Sequence, residues 1–370
     1  MKSFTIDTPR GPRQIGGGAP SFIVAEMSCN HLQKFEKAVQ IIKAAAAAGA
    51  DAVKLQTYTA DTITIDCDKP WFVERAEGNP DSWKKKTLYE LYRTAYTPWE
   101  WHPRLHEVAD EYGIALFSTP FDGTAVDFLE TQKAPCYKIA SYEATDIPLL
   151  KRVAQTGKPV IMSVGFATLP EIEYSVRILR ENGCHDLALL HCLTSYADAP
   201  DLKHVNLRTI DDLRERFDVI AGFSDNNGGI ELPVAAATLG ASIIEKHLVM
   251  GVNEGSFDDR FSITPAQLKE MCASIRRSEE ALGTVRYGAQ SAVEEGNKYF
   301  RRSLFVARDM KTGELFTNEN LRDIRPSHGL PTKYYDEIIG KRAATDIERG
   351  TPLTWEMVVG ASVGASVPRT

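Results

Sequence analysis

Along roughly the first 250 residues, short apolar runs alternate with longer segments of helical composition, and each run ends in a polar or ionisable residue. The runs are FIVAEM, DAVKLQTY, IALFSTPF, APCYKIAS, PVIMSVG, LALLHCLT, DVIAGFSD and ASIIEKHL. Near-continuous apolar runs of this length are what parallel strands show when helices cover both sheet faces. The segments between them include KFEKAVQIIKAAAAAGA, WEWHPRLHEVADEYG, GTAVDFLETQ, LPEIEYSVRILRENG and GGIELPVAAATLG. They carry apolar residues at helical spacing, and several close on a glycine suited to a helix stop. Eight such alternations predict an α/β fold, a closed (β/α)8 TIM barrel, with an open doubly wound sheet as the alternative.

In a barrel, polar residues at strand C-termini form the active-site rim. Here the strand ends deliver Glu26, Lys54 with Gln56, Thr119, Lys138 with Ser141, Ser163, Thr194, Ser224 with Asp225, and Glu245 with His247. Lys54 and Lys138 lie inside apolar runs, where an unpaired ammonium is costly, so they call for anionic partners. Fixed cations beside hydroxyl donors suit an anionic ligand. Glu26 and Glu245 are the carboxylates at the rim beside them.

The alternation stops near residue 285, which sets a barrel domain at 1–285 and a polar connector at 286–300. Residues 301–360, dense in turns (KTGE, SHGLP, ERGTP), read as a small β-rich domain near the size at which independent folding is marginal. The small-residue tail, 361–370, is expected to be mobile. The stretch from Thr59 to Thr97, with Trp71, Trp83, Tyr89, Tyr92 and Tyr96, is long for a barrel loop; it either covers the rim or packs as an insertion.

At 370 residues and 43% hydrophobic content the chain can bury a large core, and a net charge of -7 without a basic cluster argues against nucleic acid as a partner. KKK at 84–86 reads as a solvated charge run. The six cysteines form no C-x-x-C pair, which suits structural thiols. With no apolar signal region in MKSFTIDTPRGPRQ and no run approaching a membrane span, a cytoplasmic location and no membrane partner are expected. His31, in SCNH, is open to either a structural or a ligand role, whereas His102 and His191 read as packing or surface residues.

Taken in order, VAEMSCNH, AGADAVKLQTYTADT, FSTPFD, YKIAS, GFSD, EKH and the RRSLFVARDMKTGE, IRPSHGLP and IGKRA block resemble the sialic acid synthase family from about residue 15 to 358. LYELYRTAYTPWEWH, at 88–102, is similar to the pseudaminic acid branch of that family. The resemblance implies a barrel followed by an antifreeze-like (SAF) domain. It implies condensation of phosphoenolpyruvate with an open-chain acetamido sugar aldehyde, here a 2,4-diacetamido-trideoxy hexose, to a nine-carbon 2-keto-3-deoxy sugar acid and phosphate. It implies a homodimer in which the SAF domain of one subunit reaches the partner's barrel, placing Arg325 over the sugar site. Glu26, Lys54, Lys138 and Glu245 become the catalytic set, and Gln56, Thr119, Phe121, Ser141, Ser163, Thr194, Tyr196, Ser224 and Asp258 join Arg325 as substrate contacts.

The family's divalent metal, Mn2+ or Mg2+, sits on a histidine pair of which this chain keeps His247; GFSDNNGG puts Asn226 where the other stands. An amide oxygen is a neutral and weaker ligand. SVGF also departs from the family's Ser-Thr-Gly-Met at Val164 and Phe166. Three readings follow: a condensing synthase, a same-scaffold enzyme with a different acceptor or altered metal chemistry, and a non-catalytic sugar- or phosphate-binding protein.

Overall fold

The structure, a computed structural model, describes residues 2–73, 86–252 and 254–360. The chain divides into two compact units, one ending at Gly283 and one beginning at Thr284. Trp83, two of the three lysines of the KKK run and the tail from 361 to 370 lie outside the described residues. The third lysine, Lys86, stands 5.1 Å over the Phe257 ring.

The first unit opens with an antiparallel hairpin, β1 (Ser3–Ile6) and β2 (Arg13–Gly16). The barrel strands follow as β3 (Phe22–Glu26), β4 (Ala52–Thr57), β5 (Ala115–Pro120), β6 (Tyr137–Ile139), β7 (Val160–Ser163), β8 (Leu187–Leu193), β9 (Ile220–Asp225) and β10 (Ile243–His247). They pair in sequence order, all parallel, and β10 returns to β3, so the sheet is a closed barrel and not an open one. Each strand falls in one of the eight apolar runs.

The hairpin has a specific task. Phe4, Ile6 and Ile15 are buried in one cluster with Phe22, Ala115, Ile220 and Ile243, residues at the start of their strands. This apolar plug closes the N-terminal mouth, at about 1.5–3 kcal/mol per large side chain buried. Polarity inside the barrel is thereby left to the other end. A hairpin of two four-residue strands is too short for its alternation to stand out in sequence.

Helices form the outer layer. Helix Phe35–Ala48 buries Ala38, Ile41, Ile42, Ala45 and Ala48, the i, i+3, i+4 stripe, and stops at Gly49, whose φ of 91° closes the turn with its N–H on the Ala45 and Ala46 carbonyls. Helix Pro265–Leu282 starts on a capping box between Thr264 and Gln267. The Thr59–Thr97 stretch has structure of its own: helix Ala60–Ile63, helix Leu88–Ala95 capped by Thr87 and Glu90, and a bridge from Val73 to Thr87. Tyr92 packs edge-on against Tyr58 at 5.5 Å, and the Tyr89 hydroxyl donates to Asp61, so the described part is a packed insertion anchored beside the rim.

In the second unit, β11 (Ser303–Val306) pairs antiparallel with β12 (Leu321–Ile324) around a core that includes Leu304, Phe316, Ile338 and Leu353. The SHGLP turn needs its glycine, because a β-carbon at Gly329 would lie 2.0 Å from the Leu304 carbonyl oxygen. The polar connector holds a short helix, Ala292–Asn297, capped by Ser291.

Candidate active site

Parallel register carries the strand-end residues to one mouth: Glu26 lies opposite both Lys54 and His247. Successive side chains alternate across a strand, so Glu245 and His247 share one face of β10 and Lys246 takes the other. At the centre Lys54 Nζ is 3.0 Å from Glu26 Oε2 and 3.1 Å from Glu245 Oε1, and it donates to Thr119 Oγ1 at 3.2 Å. Lys138 Nζ is 3.6 Å from the same Glu245 Oε1, which also accepts from Ser224 Oγ at 3.2 Å. Gln56 Nε2 donates to Glu26 Oε1 at 3.0 Å, as does the Ser28 N–H at 3.1 Å. The result is a buried alternating chain, Glu26, Lys54, Glu245, Lys138, in which every member is under 5% exposed.

That chain is not self-sufficient. Glu245 Oε2, Ser141 Oγ and Ser163 Oγ are buried without a hydrogen-bond partner, while Glu26 Oε2 has its ion pair with Lys54, and His247 Nδ1 its contact with Asp258, but no hydrogen bond of good geometry. Buried polar atoms are normally satisfied. Their gathering at the C-terminal mouth of one barrel marks a ligand site rather than a structural salt-bridge cluster. A cleft of about 400 Å³ at the opposite end, lined by Lys2, Arg180, His185 and Asp218 among others, lacks this character: Lys2 pairs with Asp218 and Arg180 caps the Phe217 carbonyl.

The two carboxylates differ in environment. Burial pushes Glu26 above its ordinary value, and Lys54 only partly opposes this. Burial acts on Glu245 too, but Lys138 and Lys54 together overcome it and hold the group down to about 2. Lys54 is likewise desolvated, yet Glu245 and Glu26 raise it above its ordinary value and keep it cationic. Burial lowers Lys138, with Glu245 opposing. Glu245 is therefore a fixed anion, while Glu26 is the carboxyl of the pair that holds its proton more tightly than usual.

Thr194 and Tyr196 occupy the loop after β8, with Tyr196 edge-on to Phe261 at 4.9 Å; His247 meets the same ring at 5.1 Å. Asp258 Oδ2 is 3.5 Å from His247 Nδ1. Asn226 is buried, with Nδ2 on Cys192 Sγ at 3.6 Å. Phe121 packs edge-on against Tyr58 at 5.1 Å, at the foot of the insertion. Arg325 is exposed in the second unit, at the end of β12. His31 is structural: Nδ1 accepts from the Gln33 N–H, Nε2 meets Thr97 Oγ1 at 3.0 Å, and burial holds the ring down to about 4. His102 and His191 are packed, against the Phe128 ring and the Val205 carbonyl.

One further residue belongs here. Glu143, two positions beyond Ser141, has a buried Oε2 without a partner, and burial raises it to about 7 against the pull of Lys138. The signal was in YKIASYE, an acid just past a strand-end lysine and serine, but a loop glutamate without periodicity does not separate itself from a solvated one.

Among the described residues no group of three or more His, Cys, Asp or Glu is arranged to hold a metal ion. The described donors nearest to that role are His247, whose buried Nδ1 faces Asp258 at 3.5 Å without a hydrogen bond, and Asn226, whose Nδ2 on Cys192 leaves Oδ1 for a ligand. An imidazole and an amide oxygen fit Mg2+ or Mn2+ in a sphere completed by substrate and water oxygens.

The NeuB family description matches residues 41–287, and the SAF domain description matches 301–359. The chain belongs to the NeuB family. Pseudaminic acid synthase of Campylobacter jejuni is 41% identical over 332 residues, 90% of this chain and 95% of that protein. Pseudaminic acid synthase of Helicobacter pylori is 38% identical over 335 residues, covering 90% and 97%. The solved N-acetylneuraminic acid synthetase of Leptospira borgpetersenii, in complex with citrate, superposes with a TM-score of 0.68 at 30% identity, over 80% of this chain and 96% of that one. This NeuB-family chain thus joins the barrel and the SAF domain that its sequence motifs implied.

Proposed function

We propose that this chain is a phosphoenolpyruvate-dependent nonulosonic acid synthase of the pseudaminic type. It joins C3 of phosphoenolpyruvate to the aldehyde carbon of a 2,4-diacetamido-trideoxy hexose and releases phosphate. The observation that carries this is the buried chain Glu26–Lys54–Glu245–Lys138 with unpartnered Ser141 and Ser163 beside it, in a protein 41% identical to a pseudaminic acid synthase. The full set of charged residues favours catalysis over binding alone.

Lys54, Lys138 and the serine hydroxyls neutralise and orient the phosphate and carboxylate. Attack by C3 on the aldehyde turns its oxygen into an alkoxide, which takes up a proton to become the new hydroxyl, and leaves positive charge at C2, which the fixed Glu245 carboxylate stabilises. Glu26 takes a proton from the water that adds at C2, and the tetrahedral product expels phosphate. A divalent ion held by His247 and Asn226 would supply Lewis-acid polarisation of the aldehyde oxygen. Asn226→His should tighten Mn2+ binding at least about tenfold, read by calorimetry, because imidazole is the better ligand; unchanged affinity would mean that this pair does not hold the ion.

The assembly reading is a homodimer whose SAF domain serves the partner's barrel. In support, Val285 just before the connector and Tyr287, Val293 and Phe300 within it are each more than half exposed in the single chain, an apolar stretch for a second copy to cover. Arg325, exposed at its turn, then meets the acceptor sugar. Arg325→Ala is expected to raise the acceptor KM about tenfold or more, the loss of one charge-assisted hydrogen bond, with an unaltered Tm; an unchanged acceptor KM would remove Arg325 from the sugar site.

A second reading, the same chemistry on another acceptor, is favoured by Val164, Phe166 and Asn226 together, and an acceptor panel separates the two. Among the described residues no helix is long and apolar enough to cross a membrane. All six cysteines are free, in keeping with a reducing cytoplasm.

A further inference from the structure

Behind the inward-facing groups lies a second buried ion pair that the reaction does not use. Lys246 is fully buried on the far face of β10, and its ammonium donates to Asp225 Oδ2 at 2.7 Å and to the Asn227 carbonyl. Asp225 Oδ1 accepts from Asn227 twice, from N at 3.1 Å and from Nδ2 at 3.2 Å. Asn227, itself fully buried, then accepts at Oδ1 from Ser195 Oγ at 2.7 Å and from the Ala197 N–H at 3.2 Å. The Gly228 N–H donates to the Ala197 carbonyl at 2.9 Å, and a β-carbon at Gly228 would lie 2.0 Å from the Asp198 carbonyl oxygen. The loop after β8 therefore rests directly on the backbone that follows β9.

These bonds fall on both sides of Tyr196, whose φ of 47° is left-handed. An L-residue holds that conformation only where its surroundings impose it, at a cost of about 1–3 kcal/mol. A buried ion pair is weak as a source of stability, since desolvation offsets most of the Coulomb gain. Its effect here is geometric: it fixes Asn227, and Asn227 fixes the loop.

Thr194 sits beside the unpartnered Ser141, since a β-carbon at Gly165 would lie 3.0 Å from Thr194 Cγ2 and 2.6 Å from Ser141 Oγ. We infer that Lys246, Asp225 and Asn227 are positioning residues that clamp the Thr194–Tyr196 loop in the conformation that receives phosphoenolpyruvate beside Ser141, an inference that rests on the synthase reading. The side-chain hydrogen bonds of the three run to one another, to Ser195 and to Ala197, and not to the Glu26–Lys54–Glu245–Lys138 chain. Their contribution is a pre-ordered loop, which saves the cost of ordering it on binding.

The test compares Asn227→Ala with the milder Ser195→Ala and the conservative Ser195→Thr, each as full-length protein. Steady-state kinetics are combined with hydrogen exchange of the 195–198 backbone amides. The KM for phosphoenolpyruvate should rise about tenfold in Asn227→Ala and about threefold in Ser195→Ala, as expected for the loss of buried hydrogen bonds. Ser195→Thr should restore it. The kcat should stay within about twofold, the acceptor KM should not move, and the loop amides should exchange faster. A fall in Tm with an unchanged KM for phosphoenolpyruvate would reduce the network to a structural salt bridge and overturn the inference. Wild-type protein that turns over no phosphoenolpyruvate would sink the synthase reading instead; the loop amides then still decide the clamp, which fails if Asn227→Ala leaves their exchange unchanged.

Discussion

Lys54→Met is expected to abolish turnover, lowering kcat/KM by ~10³ or more, and to weaken the fold at the same time. Lys54 is the only lysine of the central chain in contact with both carboxylates, at 3.0 Å and 3.1 Å. Without it Glu26 and Glu245 face each other across an apolar side chain. Breaking a buried pair in this way costs about 3–5 kcal/mol, read as a lower denaturant midpoint. Proton uptake should soften the loss at low pH. Glu245, held down to about 2 by Lys138 and Lys54, contributes stability that is present above the ordinary carboxylate range and lost as pH falls towards 2. With Lys54 gone that contribution shrinks and the acid-unfolding midpoint moves up. A variant with wild-type stability and measurable phosphoenolpyruvate binding would show that Lys54 is neither the anchor of the chain nor of the phosphate pocket.

Glu26→Gln separates chemistry from binding. The isosteric amide keeps the contact with Gln56 and Ser28 yet removes the carboxyl that burial raises above its ordinary value. The kcat should fall by ~10²–10⁴, the usual range for a lost general base, with phosphoenolpyruvate affinity changed less than about threefold. In the wild type, activity should drop on the acid side as Glu26 takes up its proton, at a pH above the ordinary carboxylate range. That limb should vanish from the residual rate of the variant. Glu143, raised to about 7, is the competing source of such a limb. If the limb survives in Glu26→Gln and disappears in Glu143→Gln, the base is Glu143.

Much of this was legible in sequence because the barrel writes its architecture into hydrophobic runs. Lys54 and Lys138 stood out since an ammonium inside an apolar strand has few innocent explanations, and the structure pairs both with Glu245. The hairpin that plugs the N-terminal mouth did not stand out, because Phe4, Ile6 and Ile15 acquire meaning only against strand starts spread along the chain from Phe22 to Ile243. Glu143 was missed for want of a pattern, and its raised value comes from burial that only the closed barrel creates. The clamp on Tyr196 was hidden in the same way: Asn227 and Ser195 are 32 residues apart and ordinary in composition. His31 could be read as a ligand or as structure until its contacts with Gln33 and Thr97 were in place. What sequence could state best were the departures, Asn226 above all, whose consequence depends on pocket chemistry rather than on fold.

The measurement that bears most directly on the synthase reading is phosphate release from phosphoenolpyruvate by metal-stripped protein, with Mg2+ or Mn2+ restored. It is run against 2-acetamido and 2,4-diacetamido hexoses, with the sugar acid followed by mass. Release that requires both a metal and a 2,4-diacetamido-trideoxy hexose, in step with a nine-carbon keto acid, is the expected result. Folded protein that releases no phosphate with any acceptor, or releases it without forming the keto acid, would contradict it.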